Sequence, residues 1–255
     1  MAEPLFKVVD LLPQELAIQI QGCEVGRMQP HAPPAEEAPR PELGDLIVRA
    51  ARAGLFAGAS ASAWAATAQV IDTTFDLAAR RARWRISLAG IDAGAFRIIW
   101  NLLRSMDLEE ALMATVEMPG AQLDQVAPLY PERLSYPGVV RPLPFALDVE
   151  APLRSKNRSI QIVFAAPPSE AAVDAILATF ELWSELLILG GYPPEGVSPA
   201  ESGAMPDPPF LLDEVTIEQA FSEHFAADEA AFNAMINHAA AVHYSGVVVS
   251  EVIVR

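Results

Sequence analysis

Three histidines, His224, His238 and His243, fall close together late in the chain, beside Glu223, Asp228 and Glu229. A cation site would need about three such ligands converging. His238 and His243 are five positions apart, whereas a helical zinc pair sits at i and i+4. Capping or surface histidines are therefore expected, with no metal and no cofactor. His238 and His243 remain the catalytic candidates, since either could move a proton if its pKa lay near the working pH and a substrate came within hydrogen-bond reach.

The second group is an arginine island, Arg80, Arg81, Arg83, Arg85, Arg97 and Arg104, interrupted by Asp92 alone. Guanidinium forks suit carboxylate and phosphate, so Arg83, Arg85 and Arg97 are the ligand-binding candidates for a small anionic ligand. On a strand Arg83 and Arg85 share one face. The plainer expectation is that these arginines pair with acids of the second half, within the chain or across a dimer.

Cys23 is the only cysteine, which rules out an intrachain disulfide and a cysteine zinc site and fits a buried thiol. The four tryptophans fit core packing. Glu109-Glu110 and Asp213-Glu214 are sequence neighbours whose side chains diverge on a strand, so they make poor acid/base pairs. No glycine-rich nucleotide loop, nucleophile elbow, HExxH or EF-hand pattern occurs.

Charge supplies the next constraint. The 255 residues carry a net charge of −16. Residues 1–158 are near balance at −3, whereas 159–255 hold 14 acids against Arg255, a net −13. Such a chain repels phosphate backbones and anionic bilayers, so neither nucleic acid nor membrane is an expected partner. Self-association as a homodimer, or a basic protein, is compatible, and so is charge that serves solubility alone. The start of the chain lacks a signal-peptide pattern and no apolar run reaches membrane-spanning length, so a cytoplasmic protein is expected. Scarce lysine with abundant alanine reads as a GC-rich bacterial genome rather than as chemistry.

These residues must be positioned by regular elements. Alternation predicts strands at 16–21, 83–88, 113–118, 159–164, 215–218 and 247–254. Residues 59–75 carry both helix and strand signals, and the later part is assigned to strand. Amphipathic spacing predicts helices from Pro41, from Asp92 as N-cap, from Ser169 as N-cap to Gly190-Gly191, and from Asp228 as N-cap. Residues 119–158 hold seven prolines and read as an inter-domain connection with local packing around Leu129, Tyr130, Tyr136 and Phe145. Residues 192–209 read as a loop, with room for one edge strand.

The pattern strand, helix, strand, strand, helix, strand occurs twice. Ile18-Gln19-Ile20 echoes Ile160-Gln161-Ile162, Pro41 echoes Pro168, and Ala95-Phe96-x-x-Ile99-x-Asn101 echoes Ala231-Phe232-x-x-Met235-x-Asn237. The expected fold class is α+β, a tandem duplication of a split βαβ (ferredoxin-like) unit with antiparallel sheets and helices on one face. The expected units are 1–118 and an acidic 159–255, joined by 119–158. Such units host many functions. The expected function is a non-catalytic, self-associating binding protein. The alternative is an enzyme or small-molecule binder with an anionic-ligand pocket between the repeats. A third option is an inhibitor that mimics nucleic acid.

Overall fold

The computed structural model describes residues 6–8, 14–21, 43–57, 67–76, 81–89, 94–105, 113–117, 127–129, 134–150, 158–199, 201–221 and 224–255. The elements in chain order are β1 (Phe6–Val8), β2 (Gln14–Gln21), α1 (Leu43–Arg52), β3 (Thr67–Asp76), β4 (Arg81–Ala89), α2 (Ala95–Ser105), β5 (Met113–Glu117), β6 (Ala127–Leu129) and β7 (Ala146–Val149). There follow β8 (Arg158–Phe164), α3 (Glu170–Ile188), β9 (Gly203–Met205), β10 (Phe210–Asp213), β11 (Thr216–Phe221), β12 (His224–Ala226), α4 (Ala231–Tyr244) and β13 (Val249–Val254). Helices and sheets are thus combined in an α+β architecture. Among the described residues no helix is long and apolar enough to cross a membrane.

A four-stranded sheet has the order β3-β4-β2-β5, and a five-stranded sheet the order β10-β11-β8-β13-β7. Every pairing in the first is antiparallel. So is every pairing in the second except that of β13 with β7, which is parallel. Two small ribbons, β1-β6 and β12-β9, complete the pairings. The strand predicted in the later part of 59–75 is β3. The expectation of purely antiparallel sheets is corrected by β7, which the proline-rich 119–158 segment adds at one edge.

Helices of both sequence halves contribute to one core. α1 buries Leu46, Ile47, Val48, Ala50 and Ala51 while Asp45, Arg49 and Arg52 stay exposed. So wide an apolar arc needs two neighbours, and α1 lies against β3 and β4 as well as α3. α2 buries Ile98, Ile99, Trp100, Asn101 and Leu102 in sequence succession or nearly so. The one-sided stripe expected for it is corrected to burial over most of its circumference.

α3 begins where Ser169 Oγ accepts from the Ala172 amide at 3.3 Å and ends at Gly190, whose φ of 71° fits a left-handed terminus. Its Trp183 is fully buried, donates Nε1 to Ala231 O at 3.1 Å, and meets Phe221 edge-on at 5.5 Å. Asp228 does not cap α4. Its Oδ1 accepts from the Ala230 amide, and Ala230 occupies the cap position without a side-chain bond. The predicted N-cap Asp92, like Cys23 and Tyr130, lies outside the described residues.

In β8 the residues Arg158, Ile160, Ile162 and Phe164 are buried, while Ser159, Gln161 and Val163 are half-buried. The pleat thus gives the five-stranded sheet one face toward the helices and one away from them.

Candidate functional site

A polar seam runs where α2 and α4 meet the segment 134–140. Asn101 on α2 donates Nδ2 to Tyr136 Oη at 3.2 Å and to Gly191 O at 3.0 Å. Asn237 on α4 donates Nδ2 to Ala57 O and to Gly138 O, both at 3.0 Å, and its Oδ1 accepts from the Val140 amide at 2.9 Å. Asn233, one turn earlier, donates to Pro137 O at 3.1 Å. Both buried asparagines are the closing residues of the repeated Ala-Phe motif. The segment 134–140 is therefore held from both sides, although proline content and weak periodicity made it read as a connection. A buried amide is retained when its polar atoms find partners; Asn237 spends its bonds on main-chain groups, and Asn101 on one carbonyl and the Tyr136 hydroxyl.

Arg97 lies in the same seam. It donates Nη1 to Leu134 O at 2.9 Å, and its guanidinium stacks over the Tyr136 ring at 3.9 Å from the centroid. Tyr136 in turn donates Oη to Pro193 O at 3.1 Å. Burial pushes its phenol up to about 12, with Asp228 adding to the rise and Arg97 opposing it. Tyr192 packs on Tyr136 at 5.2 Å between centroids, and burial raises its phenol further still. Tyr192 Oη has no hydrogen-bond partner among the described residues.

His238 is buried beside Asn237. Its Nδ1 meets Ala53 O at 3.2 Å, so Nδ1 carries the proton and Nε2 is the bare, buried acceptor. Burial pushes its pKa down to about 4, with the Ala53 carbonyl partly opposing that fall. A neutral imidazole of that kind is a poor base near neutrality. His243 lies near the end of α4 with Nδ1 3.0 Å from Val249 O and its ring edge-on to Tyr244. Among the described residues no group of three His, Cys, Asp or Glu side chains is placed to hold a metal ion.

Arg83 and Arg85 sit on β4. In the ladder with β3, Arg81 stands opposite Asp76, Arg83 opposite Thr74, and Arg85 opposite Asp72. Acids of the same sheet thus lie at the partner positions of two island arginines. Among the described residues, a cross-half ion pair lies outside the island. Arg49 on α1 meets Glu185 on α3 at 3.0 Å, with both side chains substantially exposed, so it contributes little stability. Of the candidates, Arg97 and His238 belong to the seam, whereas His243 lies at the far end of α4 and Arg83 and Arg85 stand on β4.

The second feature is the side of the five-stranded sheet turned away from the helices. Its alternating positions carry Asp148 on β7, Glu251 and Ile253 on β13, Gln161 and Val163 on β8, and Glu218 and Ala220 on β11, all half-buried or exposed. Gln161 donates Nε2 to Glu218 Oε1 at 3.2 Å across the ladder. The edge strand β10 adds Phe210, Leu211 and Leu212, exposed in succession. No lysine or arginine occurs from 159 to 254. The sequence shows the charge. It does not show that acids and aliphatic side chains share one outward face. No protein-family model, curated protein or solved structure matches this chain.

Proposed function

We propose that the chain is a non-catalytic binding protein capable of self-association, built as a tandem pair of split βαβ units, with its working surface on the acidic outer side of the five-stranded sheet. The duplication is supported by the strand orders. Numbered within each unit, β3-β4-β2-β5 and β10-β11-β8-β13 follow the same 2-3-1-4 order, with a helix after the first strand and after the third. The Asn101 and Asn237 echo supports it independently.

One observation carries the binding reading. The outer side joins Asp148, Glu218 and Glu251 to Val163, Ile253 and Phe210, and the arginine at its margin, Arg255, is paired with Glu150, a combination that suits a partner offering both basic and apolar groups. The amides of Asn101 and Asn237 in the seam join the halves instead, and the two candidates there, Arg97 for an anionic ligand and His238 for proton transfer, both donate to main-chain carbonyls.

Two partners fit the charge, a second copy through its arginine island or a separate basic protein. Asp72 and Asp76 opposite Arg85 and Arg81 weaken the island as a cationic surface and favour the separate protein. Sedimentation velocity at low and high ionic strength tests the choice, using the native chain and a Glu218→Lys/Glu251→Lys variant. Growth in low salt that the variant lacks assigns the surface to a second copy. A single species at both salts leaves the separate basic partner. Growth that is identical in both proteins removes this surface from self-association.

A further inference from the structure

We infer that β10 is a docking edge for a short, extended, basic segment of another protein, which adds to the five-stranded sheet as a sixth strand. This inference rests on the binding reading and specifies its partner. β10 is the terminal strand of its sheet, and a sheet edge presents main-chain donors and acceptors to any strand that can align with them. Phe210, Leu211 and Leu212 are 42%, 44% and 50% exposed. Three consecutive apolar residues on an edge would ordinarily be guarded by lysine, and no basic residue exists in this part of the chain.

The local charge selects the occupant. Asp213 and Glu214 are exposed at the end of the strand, and Glu218 stands opposite Phe210. A second β10 pairing antiparallel about a two-fold axis would bring Asp213, Glu214 and Glu218 of both copies to one edge with no lysine or arginine of these strands to offset them. A strand with lysine or arginine between apolar residues meets the opposite situation. Pro208 and Pro209 precede β10, and a register shift falls between Leu211 and Asp213, so the window is the four residues of the strand. That length suits a short segment and opposes sheet-to-sheet polymerisation.

The edge itself is well anchored. Buried Gln219 accepts from Ser184 Oγ at 3.1 Å and donates Nε2 to Asp207 O, while the Asp207 amide bonds Ala220 O at 2.9 Å. These contacts tie the chain entering β10 to β11 and α3, so the edge is formed before a partner arrives.

The test uses the full chain and a fluorescent, end-blocked peptide of about seven residues alternating lysine and valine, read by anisotropy. Three comparisons accompany it: a glutamate–valine peptide, the lysine–valine peptide N-methylated on alternate amides, and a Leu211→Lys/Leu212→Lys protein. Saturable binding is expected for the lysine–valine peptide, weakened by at least about tenfold in each comparison. Both substituted positions are exposed, and an unchanged melting temperature shows that the variant is folded. Absence of binding, or equal binding by the N-methylated peptide or by the variant, overturns the edge assignment. If Glu218→Lys/Glu251→Lys still abolishes binding of the native peptide in that event, the acidic face stands and only the edge falls.

Discussion

Asn101 and Asn237 each donate a side-chain amide to a main-chain carbonyl of the opposite half, Asn101 to Gly191 and Asn237 to Ala57. Each acceptor lies a few residues beyond the end of a helix, Ala57 after α1 and Gly191 after α3. The two halves are therefore joined by a reciprocal bond pair. These bonds hold the molecule together.

Asn237 makes three side-chain hydrogen bonds in all and Asn101 two. Replacing either by alanine leaves buried carbonyls unpaired, and Asn237→Ala should cost on the order of 3 kcal/mol against about 2 kcal/mol for Asn101→Ala. Urea unfolding of both variants checks the order. Equal losses below about 0.5 kcal/mol would show that the seam does not hold the halves.

Tyr136 and Tyr192 stack on one another but differ at the hydroxyl. Tyr136 Oη is bonded to Asn101 and Pro193, whereas Tyr192 Oη is buried without a partner among the described residues. Tyr136→Phe should therefore destabilise by about 1–2 kcal/mol, and Tyr192→Phe should be neutral or slightly stabilising. Thermal melts of the two variants should diverge in that direction.

His238 should make the fold acid-sensitive above the range of most carboxylates. Its pKa falls from 6.5 to about 4 on burial, so between those values the unfolded chain binds a proton that the folded chain does not. Stability is thus insensitive to this group above about pH 6.5 and decreases as the pH falls toward about 4. About 2 kcal/mol should be lost by pH 5 relative to His238→Gln, whose side chain can still donate to Ala53 O. Parallel stability–pH curves for the two proteins would place His238 in a more hydrated setting.

Gly54 and Gly190 occupy equivalent helix ends with φ of 78° and 71°. A Cβ on Gly54 meets open space, whereas one on Gly190 collides with the Pro199 main chain. Gly54→Ala should cost only the left-handed strain of about 1–2 kcal/mol, and Gly190→Ala considerably more. Unfolding midpoints of the pair report the difference.

Much of this was legible in the sequence where local periodicity governs. Ser169 and Gly190 bracket α3 as their chemistry dictates, and the alternation of Ser159–Phe164 became β8. β10 was missed because Phe210-Leu211-Leu212 shows no alternation, being exposed on both sides of an edge. β7 and the 134–140 segment were hidden by prolines, because their order comes from contacts with distant residues such as Asn237 and Val254. The Ala-Phe-x-x-Ile/Met-x-Asn echo marked a repeat. That its asparagine ties each half to the other required coordinates, since Gly191 and Ala57 are remote in sequence. The register that sets Asp72 and Asp76 opposite Arg85 and Arg81 was likewise hidden, because it arises only through strand pairing.

The most direct test of the acidic working surface is hydrogen exchange across the whole chain with and without the lysine–valine peptide. The account predicts added protection confined to 210–221 and the outward positions of β8 and β13, and lost when ionic strength is raised. Protection centred on α2, α4 or the segment 134–140 would contradict it, and would place the binding site in the seam between the two halves.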